Sequence, residues 1–158
     1  MKYMDIIIKK SKFSGKGVFA LKKFKKGEIV MIWDKTHKVK HSQINKLSKH
    51  NQNHLNYIGY GNYIIMKSPE KYVNHSCNPN TYVINEKDIA IRDIKKGEEI
   101  TTDYSANSIE SWKMNCKCES KNCRKIIFGD YRKLDTKTKK KLSPYLQDWF
   151  KRESKKRK

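Results

Sequence analysis

Apolar positions along the chain come in short bursts separated by Lys, Asn and Gly. Residues 5–8 form one burst, residues 14–17 are small and polar, and residues 18–21 are apolar again. Bursts of this length, bounded by Gly and Ser, read as strands joined by turns. Phe24-Lys25-Lys26-Gly27-Glu28-Ile29-Val30 reads as a turn feeding another strand, and Ile94-Lys95-Lys96-Gly97-Glu98-Glu99-Ile100 nearly copies it. No regular period connects the two copies, so the chain is not a repeat protein. Further strands are predicted at residues 63–66, 81–84 and 89–91. Residues 34–57 are polar, with Ser42 predicted to cap a short helix whose inner side carries Ile44, Leu47 and Leu55. Residues 105–125 read as loop. A charged segment from Gly129 leads to a predicted helix over residues 144–151, and residues 151–158 read as a frayed basic tail. The pattern predicts a mainly β fold of short strands and Gly-dependent turns.

The length of 158 residues fits one domain. Ile, Leu, Val and Phe together lie just above the level, roughly 20%, below which a highly charged chain stays disordered. Charge changes the picture more. Lys and Arg number 37 against 16 Asp and Glu, a net +21, with a pI of about 9.8. Only 5 of those cations are Arg, the residue suited to bidentate recognition. The Lys excess therefore points to acidic partners and salt-sensitive association, including non-specific nucleic-acid contact, more than to base readout. The longest apolar runs, such as Ile6–Ile8, are far from the ~20 residues of a membrane helix, and residues 1–10 lack a signal-peptide core. A soluble, intracellular protein is expected, in nucleus and chromatin or cytoplasm, without membrane contact. In a reducing compartment four Cys do not imply two disulfides.

Those cysteines are the most specific chemistry. Cys116-Lys117-Cys118 followed by Cys123 places three thiols too close for relaxed mutual disulfides, yet well spaced for three corners of a zinc tetrahedron. Cys77 is the obvious fourth ligand, with His75 its competitor. A closed four-ligand site is structural, and it would pin residues 116–123 against the segment around Cys77. That segment, Asn74-His75-Ser76-Cys77-Asn78-Pro79-Asn80, is a structured polar loop. Gly15-Lys16-Gly17 alone is a weak turn signal, since no helix follows it. Glu98-Glu99-Ile100-Thr101-Thr102-Asp103-Tyr104 alone reads as a strand end.

In this order the motifs carry more than their sum. Gly15-Lys16-Gly17-Val18-Phe19, then Asn74-His75-Ser76-Cys77, then Gly97 to Tyr104, then the Cys cluster with Arg124, strongly resemble a SET-domain protein-lysine N-methyltransferase with its post-SET zinc motif. The resemblance covers roughly residues 5–125. It implies small curved sheets with knot-like C-terminal threading, divided as residues 1–111 (SET domain, with a variable insert at 34–60), 112–128 (post-SET zinc segment) and 129–158 (basic extension with a short helix). It implies S-adenosylmethionine as cofactor, with Gly15, Lys16 and Gly17 allowing close backbone approach and Asn74 and His75 holding it. Tyr104 would border the transfer site as catalytic residue and cofactor contact. Tyr63 and Lys117 are further cofactor candidates, and the structural zinc would take Cys77, Cys116, Cys118 and Cys123. Thr102 stands where many members carry the Phe or Tyr that limits methyl number. The implied substrate is a target lysine on a histone or another basic, nucleic-acid-associated protein. The rival is a catalytically inactive SET-like module that binds chromatin or nucleic acid; retention of Asn74, His75 and Tyr104 favours the enzyme.

Overall fold

The computed structural model describes residues 4–106 and 108–156. Its strands are β1 (Ile6–Lys10), β2 (Lys16–Ala20), β3 (Ile29–Ile32), β4 (Lys38–Lys40), β5 (Leu55–Gly59), β6 (Asn62–Ile65), β7 (Asn74–His75), β8 (Thr81–Ile84), β9 (Lys87–Ala90), β10 (Glu99–Thr102), β11 (Ile109–Asn115) and β12 (Ile126–Asp130). They form a four-stranded sheet in the order β1-β2-β10-β7, two three-stranded sheets, β3-β9-β8 and β4-β6-β5, and the β11-β12 hairpin. The mainly β architecture of small sheets is the one the apolar bursts predict.

The two near-identical turns explain how distant strands meet. Phe24 and Ile94 exchange backbone hydrogen bonds at 2.9 and 2.8 Å. In each turn the glycine adopts positive φ, +90° at Gly27 and +83° at Gly97, where a side chain would be strained. The Glu that follows accepts the N–H of the first Lys, Glu28 from Lys25 at 2.8 Å and Glu98 from Lys95 at 2.9 Å. Phe24 and Ile94 are buried with Val18, Ile64 and Ile100 in the main core. Burying each such side chain contributes about 1.5–3 kcal/mol.

Other segments depart from expectation. The helix predicted from Ser42 is a 3-10 turn at His41–Lys46, followed by a four-residue α1 (Lys49–Gln52) capped by Ser48; Leu55 belongs to β5. Part of the predicted 105–125 loop is β11, whose partner β12 lies beyond the Cys cluster. The C-terminal segment holds α2 (Thr136–Leu142), capped by the Asp135 side chain, a 3-10 turn at Ser143–Tyr145, and α3 (Asp148–Lys156). Residues 151–156 are thus helical rather than frayed, because Trp149 and Phe150 anchor α3 in a second core with Tyr57, Tyr63 and Ile109. Residues 157–158 lie outside the described residues.

Candidate active site and metal centre

The first cleft forms where the parallel pair β7–β10 meets the turn before β2. Thr101 and Thr102 pair with Asn74 and His75, which brings two polar motifs 27 residues apart side by side. The Asn74 side-chain amide donates to the Lys16 carbonyl at 3.0 Å and to Glu99 Oε1 at 2.7 Å. Glu99 in turn accepts from the Ser11 hydroxyl at 2.9 Å. A Cβ on Gly17 would overlap the Glu99 carboxylate, so this clamp closes only over glycine. The clamp holds Gly15, at φ +45°, in the wall of a cavity of about 500 Å³ with Asn74, His75, Tyr104 and Lys117.

His75 is buried against Tyr104, ring centroids 5.4 Å apart. Burial pushes its imidazole down to about 4, opposed by the Asp103 carboxylate and assisted by the Arg124 guanidinium. The ring is therefore neutral at pH 7, and its 3.7 Å approach to Asp103 is not an ion pair there. Asp103 pairs instead with Arg124 at 2.7 Å. Nδ1 of His75 accepts the Tyr104 backbone N–H at 3.2 Å. A neutral ring accepting at Nδ1 carries its proton on Nε2, which faces Cys77 Sγ at 3.3 Å. Burial likewise pushes the Tyr104 phenol up to about 12, reinforced by Glu99 and Asp88. The phenol stays protonated and donates to the Val73 carbonyl at 2.7 Å.

Beside this cleft, one donor atom each of His75, Cys77, Cys116 and Cys118 lie within 4.8 Å of one another. Thiolates at about 2.3 Å from a tetrahedral zinc lie about 3.8 Å apart, and Cys77 Sγ is 3.8 Å from Cys116 Sγ. Backbone N–H groups already point at the sulfurs, Cys77 N–H at Cys118 Sγ and Arg124 N–H at Cys77 Sγ, both at 3.4 Å. Burial raises the Cys118 thiol, but the Cys77 N–H and the Ser120 hydroxyl and N–H outweigh it and hold it at about 6. Burial pushes Cys77 and Cys116 up, so those two become thiolates readily only beside a cation. Cys123 Sγ sits against the Cys116 carbonyl at 3.9 Å. With its Nε2 protonated, His75 offers no lone pair there, so the metal-type donors of that group are the thiols of Cys77, Cys116 and Cys118, and Cys123 stands outside it.

A second cavity, of about 360 Å³, lies on the other side of Tyr104, and Tyr104 and Met114 line both. Its walls include Trp33, Tyr57, Thr102, Trp112 and Gln147. In a chain of net charge +21, this wall carries Glu70, Asp88, Asp103 and Glu110 against Lys71.

Of the sequence-predicted residues, Gly15, Asn74, His75, Tyr104 and Lys117 share the first cleft. Lys16 and Gly17 stand behind its wall, the Lys16 ammonium 5.4 Å from the centre of the Tyr72 ring. Tyr63 is not brought there: it packs in the second core, 5.0 Å from the Tyr57 ring, within 3.4 Å of His41 Nδ1. Strand alternation in β6 gives the reason, since Tyr63 faces α3. Phe13, Met114 and Ile127 of the first cleft and Trp33, Asp88 and Gln147 of the second were not identifiable from sequence, because no local motif marks them.

Two cavities thus meet at Tyr104 beside a thiol cluster. The chain belongs to the SET-domain family, whose model matches residues 15–105. The Saccharomyces cerevisiae histone-lysine N-methyltransferase, H3 lysine-36 specific, is 30% identical over 80% of this chain and 20% of its own length. A variant-silencing SET domain-containing protein of Plasmodium falciparum is 30% identical over 75% of this chain and 5% of its own length. The chain therefore spans a fifth or less of these curated relatives. A crystal structure of a Plasmodium falciparum protein assigned as a histone methyltransferase superposes with a TM-score of 0.52 at 30% identity, covering 63% of this chain and 92% of that one. Among the described residues, no helix is long and apolar enough to cross a membrane.

Proposed function

We propose that this chain is an S-adenosylmethionine-dependent protein-lysine N-methyltransferase acting on histones or another basic, nucleic-acid-associated protein. The observation that carries the reading is that Tyr104 lies in the wall of both cavities, one suited to a cofactor and the other to a lysine side chain. The first cleft fits S-adenosylmethionine in its glycine-formed wall and in the amide and ring of Asn74 and His75. When bound, that cofactor supplies an electrophilic methyl on a sulfonium. The chain's own residues do the rest by orientation and exclusion of water.

A free lysine ammonium has a pKa of about 10.4 and must lose its proton before it attacks. A dry cavity favours the neutral amine, while the carboxylate-rich wall attracts the incoming cation. Tyr104, kept protonated and tied to Val73, orients the amine without acting as a base, and the proton leaves to solvent. The zinc-type thiol set of Cys77, Cys116, Cys118 and Cys123 would fix β11 and Lys117 over the cleft. Chromatin is the setting that suits the charge: a +21 protein repels an isolated basic tail, and DNA in the substrate removes that repulsion. The test is transfer of labelled methyl from S-adenosylmethionine to core histones, nucleosomes and a cell extract. Label on lysine is the expected result. Absence of both label and cofactor binding would favour a binding module instead.

A further inference from the structure

The family match ends at residue 105, yet the second cavity is closed by residues far beyond it. Gln147, just before α3, lines the cavity, and its Oε1 accepts the Asn85 N–H at 3.0 Å on the turn between β8 and β9. At the start of α3, Trp149 meets the Tyr57 ring edge-on, 5.2 Å away at 88°. It sits so close to Gly59 that a Cβ there would lie 2.8 Å from the indole. Glu153 then reaches both sides of the β5–β6 turn. Its Oε2 accepts the Tyr57 hydroxyl at 2.6 Å, and its Oε1 accepts the Tyr60 N–H at 2.5 Å. The Tyr57 oxygen also accepts the Gly61 N–H at 3.1 Å. The Tyr57 hydroxyl is thus held as donor and as acceptor, and Tyr57 is a residue of the cavity wall.

We infer that Glu153 is a positioning residue for substrate: through Tyr57 it sets the shape of the cavity that receives the lysine, making the C-terminal helix 148–156 a specificity element of the enzyme. The inference rests on the lysine-cavity reading above. The Glu153–Tyr57 bond is charge-assisted, and its loss acts on substrate only by letting the wall residue shift, a misplacement that costs about tenfold or more in a positioned site. Phe150, fully buried, secures the helix to the core independently of Glu153, so point variants leave α3 in place.

The experiment compares wild type, Glu153→Gln, Tyr57→Phe and the double variant, using nucleosomes or core histones, whichever the wild type methylates. KM for the protein substrate is expected to rise about tenfold in each single variant. The double variant should fall short of the product of the two single effects, because the Glu153–Tyr57 bond is common to both changes. Affinity for S-adenosylmethionine should stay at the wild-type value, and the melting temperature should fall by only a few degrees, the loss of one folded-state bond. Unchanged KM in both single variants, with an active wild type, overturns this inference alone. Cofactor binding, kcat and melting temperature falling together would show a merely structural contact and overturn it too. A wild type that methylates neither these nor an extract refutes the enzyme reading and this inference with it.

Discussion

Replacing Asp88 by Asn should stabilise the protein at pH 7, an unusual expectation for a buried polar residue. Asp88 is 1% exposed. Its carboxylate accepts the Trp33 indole N–H at 2.7 Å and the Thr81 hydroxyl at 3.5 Å, and the described residues supply it with no salt bridge. Burial raises its pKa from 3.8 to about 6, with Trp33 opposing and Glu70 reinforcing the rise. A carboxyl raised in the folded state carries its full stability below 3.8 and loses it as the pH climbs through 6. At about 1.4 kcal/mol per pH unit, that difference costs about 3 kcal/mol at pH 7. Asn keeps an acceptor for Trp33 and offers a donor to Thr81 Oγ1, which itself donates to the Thr101 carbonyl at 3.0 Å. It gives up about 1 kcal/mol of charge-assisted bonding. The net gain is about 2 kcal/mol at pH 7, or about 4–8 °C in Tm. Urea unfolding of both proteins at pH 7 and pH 4 reads it. The gap should nearly close at pH 4, and comparing the two chains cancels the titrating groups that do not interact with Asp88. A variant no more stable than wild type at pH 7, or a gap equal at both pH values, would refute the reasoning.

Three further outcomes are expected. Chelation, or Cys118→Ser, should release about one zinc per chain, lower Tm and abolish cofactor binding, because Cys116 and Cys118 belong to the thiol cluster and also line the cleft; metal analysis with calorimetric titration checks this. Gly59→Ala should destabilise by about 1–3 kcal/mol, since Gly59 lies at φ +95° against Trp149, and a urea melt measures it. Methyl transfer to nucleosomes at low salt should exceed transfer to free core histones, and the advantage should shrink as salt rises; equal rates for both would count against a chromatin-bound substrate.

How much of this was legible in the sequence differs by region. The short strands and their glycine turns were, because strand bursts and positive-φ glycines are local signals. The Cys spacing and the Asn74-His75 motif likewise marked residues that the fold gathers into a thiol cluster and a cleft. The β11–β12 hairpin was hidden because its strands flank the Cys cluster, so neither turn chemistry nor spacing marks them as partners. The second cavity was hidden more deeply. Trp33, Asp88 and Gln147 converge from three separate elements, and only tertiary packing places them together. Tyr63 shows the opposite error: the residue type fitted a cofactor wall, but its strand face turns it toward α3. His75 was read as a possible zinc ligand, and only the Tyr104 N–H at its Nδ1 fixes the tautomer that argues otherwise.

The central claim is that cofactor and lysine meet at Tyr104, and Tyr104→Phe tests it most directly. Cofactor affinity and labelled-methyl transfer are measured on the same preparation. The expected result is S-adenosylmethionine binding within about twofold of wild type and transfer reduced at least about a hundredfold, a loss of roughly 2.7 kcal/mol of transition-state stabilisation. Undiminished transfer would contradict the account, because a hydroxyl at the junction of the two cavities would then have no part in the reaction.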